Sequence, residues 1–161
     1  MKCTEKTLLM VFMLILVITG IFPRNGDASS MIALSMGQSV YVPIYSHIYH
    51  GDKERRFDLT ATLSIRNTDT KQKITILSAD YFDSNGNFLK NYVDKPLELK
   101  NLGSTRYVVK SKDHTGGSGA KFIVKWESAE PVNPPLIEAI MISTRSGQGI
   151  SFISRGQVIK E

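Results

Sequence analysis

From Phe57 to Arg66 the chain alternates apolar and polar residues at every step. Phe57, Leu59, Ala61, Leu63 and Ile65 fall on one side; Asp58, Thr60, Thr62, Ser64 and Arg66 fall on the other. A period of two is that of a half-buried β-strand, whose successive side chains point to opposite faces. A helix would scatter the same residues around its circumference, so this segment commits the chain to a sheet.

Similar segments recur along the chain. Lys73 to Phe82 is rich in β-branched and aromatic residues, which favour strands. It runs into Asp83-Ser84-Asn85-Gly86-Asn87, where Asn85-Gly86 predicts a tight hairpin because both residues tolerate positive φ. Phe88 to Val93 is the return strand and Leu97 to Leu99 a short one. Thr105 to Lys110 places Thr105, Tyr107 and Val109 on one face, and Ala120 to Glu127 does the same with Phe122, Val124 and Trp126. Leu136 to Thr144 has apolar residues at both parities, which predicts burial on both faces. Ile150 to Ile153 and Gln157 to Ile159 close the chain, and Ser39 to Tyr45 opens the domain. Pro43 lies within that first strand and has no ladder donor, so an edge position or a bulge is expected. Gly116 to Gly119 reads as a flexible loop, and Pro131 to Pro135 as a stiff, extended connector. About eight short strands with turn signals between them, and no convincing helix, predict an all-β sandwich or barrel.

The N-terminus follows a different rule. Lys2 and Lys6 precede an unbroken apolar stretch from Leu8 to Ile18, which Gly20, Pro23 and Gly26 then interrupt. Gly26-Asp27-Ala28 puts small residues at both positions that a signal peptidase reads. The expectation is a signal peptide over residues 1–28, an exported chain, and a single domain over 37–160. Leu8 to Phe22 is short of the roughly 20 apolar residues that span a bilayer. The alternative is an uncleaved anchor, and membrane contact would then run through this segment alone. Cys3 is the one cysteine and lies before the apolar stretch, so cleavage leaves a domain without thiol or disulfide. That domain must stand on its core, and about 133 residues can bury roughly two-thirds of their chain surface.

The charge is mildly basic: net +5, with a pI of about 9.3. The cations are scattered, whereas nucleic-acid binders concentrate them on one face beside stacking aromatics. No nucleic-acid partner is expected.

Several segments together carry a resemblance. Tyr41 to Asp52, Leu63 to Asp69, Asp94 to Leu97, Thr115 to Val124, Val132 to Pro135 and Gly149 to Phe152 are similar to an uncharacterised bacterial family, domain of unknown function 3124. The resemblance runs from about Gly37 to Ile159. It implies an exported bacterial protein with an immunoglobulin-like antiparallel sandwich, and it transfers no catalytic residues.

The chemical motifs dissolve one by one. Gly116 to Lys121 lacks P-loop spacing, has Phe122 where Ser or Thr is required, and opens no helix. Gly116 to Ala120 is near a nucleophile elbow, but a strand follows where the elbow needs a helix. Ser118 to Lys121 matches Ser-x-x-Lys, a short pattern common by chance, in a chain too small for that enzyme fold. Asp83 to Asn87 places its glycine fourth, not sixth as a calcium loop requires, and lacks the distal glutamate. No enzyme is expected.

The leading reading is a non-catalytic binding or structural module of the cell envelope. Its partner would be an envelope protein or a small ligand, met through Tyr45, His47, Tyr49, His50 and Asp52. Tyrosine suits contact surfaces because it offers a large area and a polar tip, although alternation also allows Tyr45 a packing role. An alternative uses His47, His50 and His114 as transition-metal ligands, since imidazole suits zinc or copper. It requires the two loops to meet at one end of the sandwich. Otherwise the histidines serve as hydrogen-bonding loop residues, and no cofactor is needed.

Overall fold

The computed structural model describes residues 33–144, 147 and 149–160. The expected signal segment, Cys3, and Arg145, Ser146 and Gln148 of the last turn lie outside them. Twelve strands follow in order: β1 (Ser35–Pro43), β2 (His47–His50), β3 (Arg55–Asp58), β4 (Thr60–Arg66), β5 (Ile74–Phe82), β6 (Phe88–Asn91), β7 (Leu97–Leu99), β8 (Ser104–Val109), β9 (Lys121–Val132), β10 (Leu136–Ser143), β11 (Ile150–Arg155) and β12 (Gln157–Ile159).

All pairings are antiparallel. One sheet has the order β12-β1-β9-β5-β6, with β7 also on β5; the second has the order β11-β10-β4-β8; β2 and β3 form a separate ribbon. The expected all-β sandwich is present, and the immunoglobulin-like expectation holds at the level of two antiparallel sheets packed on each other. The chain passes from β1 to β4 by way of the ribbon, and directly between the two sheets at β4 to β5, β7 to β8, β8 to β9, β9 to β10 and β11 to β12. The last crossing uses Gly156 alone, whose N–H donates to the Ile137 carbonyl at 2.9 Å.

The inward faces of the two sheets build one core. β4 contributes Ala61, Leu63 and Ile65, β9 contributes Phe122, Val124 and Trp126, and β10 contributes Ile137, Ala139 and Met141. Tyr81 stacks on Phe122 with ring centroids 4.9 Å apart, and Tyr92 meets Phe122 edge-on at 5.2 Å. Such aromatic pairs add to area burial.

Four expectations change. The alternating run from Phe57 is two strands: it breaks at Leu59, where the chain leaves the ribbon for the second sheet. β10 is buried on one face only; Ile142 is 48% exposed on the other. β1 is an interior strand, and its bulge lies between Ser35 and Gly37. Pro43 is tolerated there because its nitrogen faces away from β9 and it ends the strand beyond the reach of β12, while its carbonyl accepts from the Ser154 hydroxyl. At Asn85-Gly86 only the glycine has positive φ, at 88°. Gly86 N–H donates to Asp83 O at 3.1 Å, and Asp83 Oδ1 accepts from the N–H groups of Asn85 and Asn87. This is a type I turn closed by a glycine bulge rather than a two-residue loop.

Candidate functional site

The two ends of the sandwich have different chemistry. At one end, Asn67 and Asp69 tie three connections together. Asn67 Nδ2 donates to the carbonyls of Gln72 at 2.8 Å and Lys100 at 3.0 Å. Asp69 Oδ1 accepts from Lys71 and Gln72 N–H, and Oδ2 accepts from Asn133 N–H. Thr68 Oγ1 donates to Pro134 O. These bonds hold the Asp69 carboxyl below its ordinary range, Gln72 N–H contributing most. The end is a structural knot that satisfies buried backbone groups.

The other end carries the ribbon, the 110–120 loop and the Asp83–Asn87 turn. Register brings them together, since Lys121 pairs with both Pro43 and Phe82. The glycine loop is pinned rather than loose. Ser46 N–H and Oγ–H both donate to Gly117 O, at 3.2 and 2.9 Å. Ser84 N–H donates to Gly116 O at 2.9 Å, and Ser84 Oγ accepts from Gly119 N–H at 2.9 Å. A Cβ on Gly116 would lie 1.9 Å from Tyr81 Oη, so glycine is required there.

Ser46 also fixes the His47 tautomer. Its single hydroxyl proton goes to Gly117 O, so toward Nδ1 of His47, at 3.2 Å, it accepts. Nδ1 then carries the imidazole proton, and Nε2 accepts from the Tyr49 hydroxyl at 3.2 Å. Burial, followed by the Arg56 cation, lowers the His47 pKa below 6.5, which agrees with a neutral ring.

Asp58 is the register partner of His47 across the ribbon. It is 8% exposed, although alternation places it on the outward side. Arg56 Nε lies 2.8 Å from its Oδ1, and His114 Nδ1 lies 3.6 Å from the same oxygen. The ribbon and the glycine loop therefore meet at one end, as the metal alternative requires.

The three imidazoles do not converge. His47 contacts Tyr49 on one face of the ribbon, while His50 sits edge-on to Phe57 at 5.9 Å on the other. Residues three apart on a strand point in opposite directions, so the expected His47, His50 and His114 ligand set is not assembled. Among the described residues no group of three or more His, Cys, Asp or Glu could hold a metal ion.

The other candidates divide by exposure. Tyr45 is half-buried with its ring 5.6 Å from Phe152, a packing role. His47 is 7% exposed and positions Tyr49, which is 56% exposed. His50 and Asp52 are exposed and line a recess of about 300 Å³ with Gly51, Lys53 and Arg55. Sequence reasoning missed Arg56, Asp58, Ser46 and Ser84. Reading residues 51–54 as a four-residue hairpin loop would have paired His50 with Arg55 and His47 with Asp58.

Two antiparallel sheets packed on each other, with a separate two-stranded ribbon, define an all-β sandwich domain. The chain belongs to the family described as "Protein of unknown function (DUF3124)", which matches residues 37–159. No curated protein matches it. Among solved structures it is similar to the crystal structure of Thermotoga maritima 1070, at 11% identity and a TM-score of 0.46, over 74% of this chain and 92% of that one.

Proposed function

We propose that this protein is an exported, non-catalytic module of the bacterial cell envelope that binds a partner through its β2–β3 ribbon. The observation that carries the reading is the ribbon itself. It pairs with neither sheet and presents Tyr49, His50 and Asp52 outward from a rigid base. Binding residues concentrate on loops held by a scaffold, and the His47–Ser46–Gly117 chain supplies that support. Export is supported by the basic, apolar and small-residue order of the first 28 residues. Tyr49 acts as the contact residue, His47 and Tyr45 hold its surroundings in place, and the partner is an envelope protein or a small ligand.

In-cell photocrosslinking on the full chain tests this. A photoreactive side chain at Tyr49 should give a discrete adduct in the envelope fraction, while one at Thr75, on the outer face of β5, should not. A Tyr49 probe giving no adduct, or the same adducts as the Thr75 probe, overturns the ribbon as the contact surface.

A further inference from the structure

His50 and Arg55 are direct partners across the ribbon, so both leave it on the same face. The turn Gly51 to Glu54 closes above them, with positive φ at Gly51 and Glu54, and Glu54 N–H donates to Gly51 O at 3.0 Å. The resulting recess of about 300 Å³ is lined by His50, Gly51, Asp52, Lys53 and Arg55. That volume is at the lower limit of small-ligand pockets.

The charge of this recess is unbalanced. Ion pairs among the described residues include Arg56–Asp58, Lys73–Glu98 and His114–Asp58. Neither Lys53 nor Arg55 is in one of them, while the neighbouring Arg56 is held by Asp58 on the opposite face. Asp52 is the single acid in the lining, against one ammonium, one guanidinium and an imidazole. A guanidinium presents parallel N–H donors that match carboxylate and phosphate oxygens, and an ammonium adds a point charge.

We propose that this recess binds a phosphate-sized oxyanion, with Arg55 as the forked donor, Lys53 as the second cation and His50 as an N–H donor. The inference rests on the ribbon being the contact surface and names the chemistry it takes.

Amide chemical shifts of the full chain, titrated with inorganic phosphate at constant ionic strength, test it. Residues 50–55 should shift together and saturate, and Arg55→Gln should weaken the response by roughly tenfold or more, as loss of a charge-assisted bond does. Arg55 is exposed, so the variant should melt like the parent. Linear shifts scattered over Lys90, Lys112 and Lys125, or an Arg55→Gln titration identical to the parent, overturn the proposal. Sedimentation with phosphatidylglycerol vesicles, but not phosphatidylcholine, identifies the source of the anion. If Arg55→Gln abolishes it, the oxyanion is a lipid headgroup; if it persists, the recess is not the site. A negative result here, with the Tyr49 adduct intact, leaves the ribbon as a contact surface and removes only its oxyanion ligand.

Discussion

At the residue scale, two buried positions have consequences that can be measured. Gly116 accepts no side chain: a Cβ there would lie 1.9 Å from Tyr81 Oη and 2.8 Å from the Ala120 Cβ. Gly116→Ala should cost about 1–3 kcal/mol through overpacking, read as a lowered Tm. Adding Tyr81→Phe should restore only part of this, because ring carbon Cζ is also within 2.6 Å. A Gly116→Ala variant that melts like the parent would refute the close approach. His47 gives a pH signature. The unfolded chain takes up its proton near 6.5 and the folded chain does so lower, because burial and Arg56 oppose the charge. Between those values the unfolded state binds more protons, so stability rises with pH. This contribution is complete above 6.5 and is lost as pH falls through the folded value. Denaturant melts across that range should show a shallower slope in His47→Gln than in the parent. Neither residue can be weighed from the sequence, where Gly116 reads as part of a flexible tract and His47 as a hydrogen-bonding loop residue. Their roles depend on Tyr81, Gly117 and Arg56, which lie far away in sequence or across the ribbon.

At the element scale, the connections explain why the strands hold their registers. Asp69 joins the β4–β5 loop to the β9–β10 crossover through Asn133. Its folded pKa is depressed below 3.8 by N–H donors, so its contribution is present above that value and lost as pH falls through the folded one. Asp69→Ala should lower Tm at neutral pH, by an amount that shrinks in thermal melts as the pH falls below 3.8, where the unfolded chain binds the proton before the folded one. The β5–β6 turn gives a cleaner backbone case. Gly86 has φ of 88°, and a Cβ added there would meet nothing within 4 Å, so Gly86→Ala should cost roughly 1 kcal/mol from conformation alone. A neutral result in equilibrium unfolding would mean the turn adopts another geometry. Strand positions were largely legible from the sequence, because a period of two is a local property. The break at Leu59 was not legible, since the alternation runs through it while the hydrogen-bonding partner changes.

At the scale of the whole molecule, one core joins both sheets, with Trp126 and Phe122 among its largest fully buried side chains. Trp126→Ala should cost about 3–5 kcal/mol and lower Tm by roughly ten degrees or more; a shift of one or two degrees in calorimetry would contradict that burial. Alternation along each strand determined by itself that the chain is all-β, which residues face inward, and where most turns fall. The first two follow from side chains pointing to opposite faces of a strand, and the turns from the Gly, Asn and Pro residues that interrupt it. The sequence also held the residues of the candidate end, Tyr49, His50 and Asp52 among them. It could not assign each strand to a sheet, separate the ribbon from both, or bury Asp58 beside His114. It could not place His47 and His50 on opposite faces without knowing that their segment is a strand. Those outcomes depend on pairings between distant segments, and only the folded chain brings Gly117 to Ser46, Asn133 to Asp69 and His114 to Asp58.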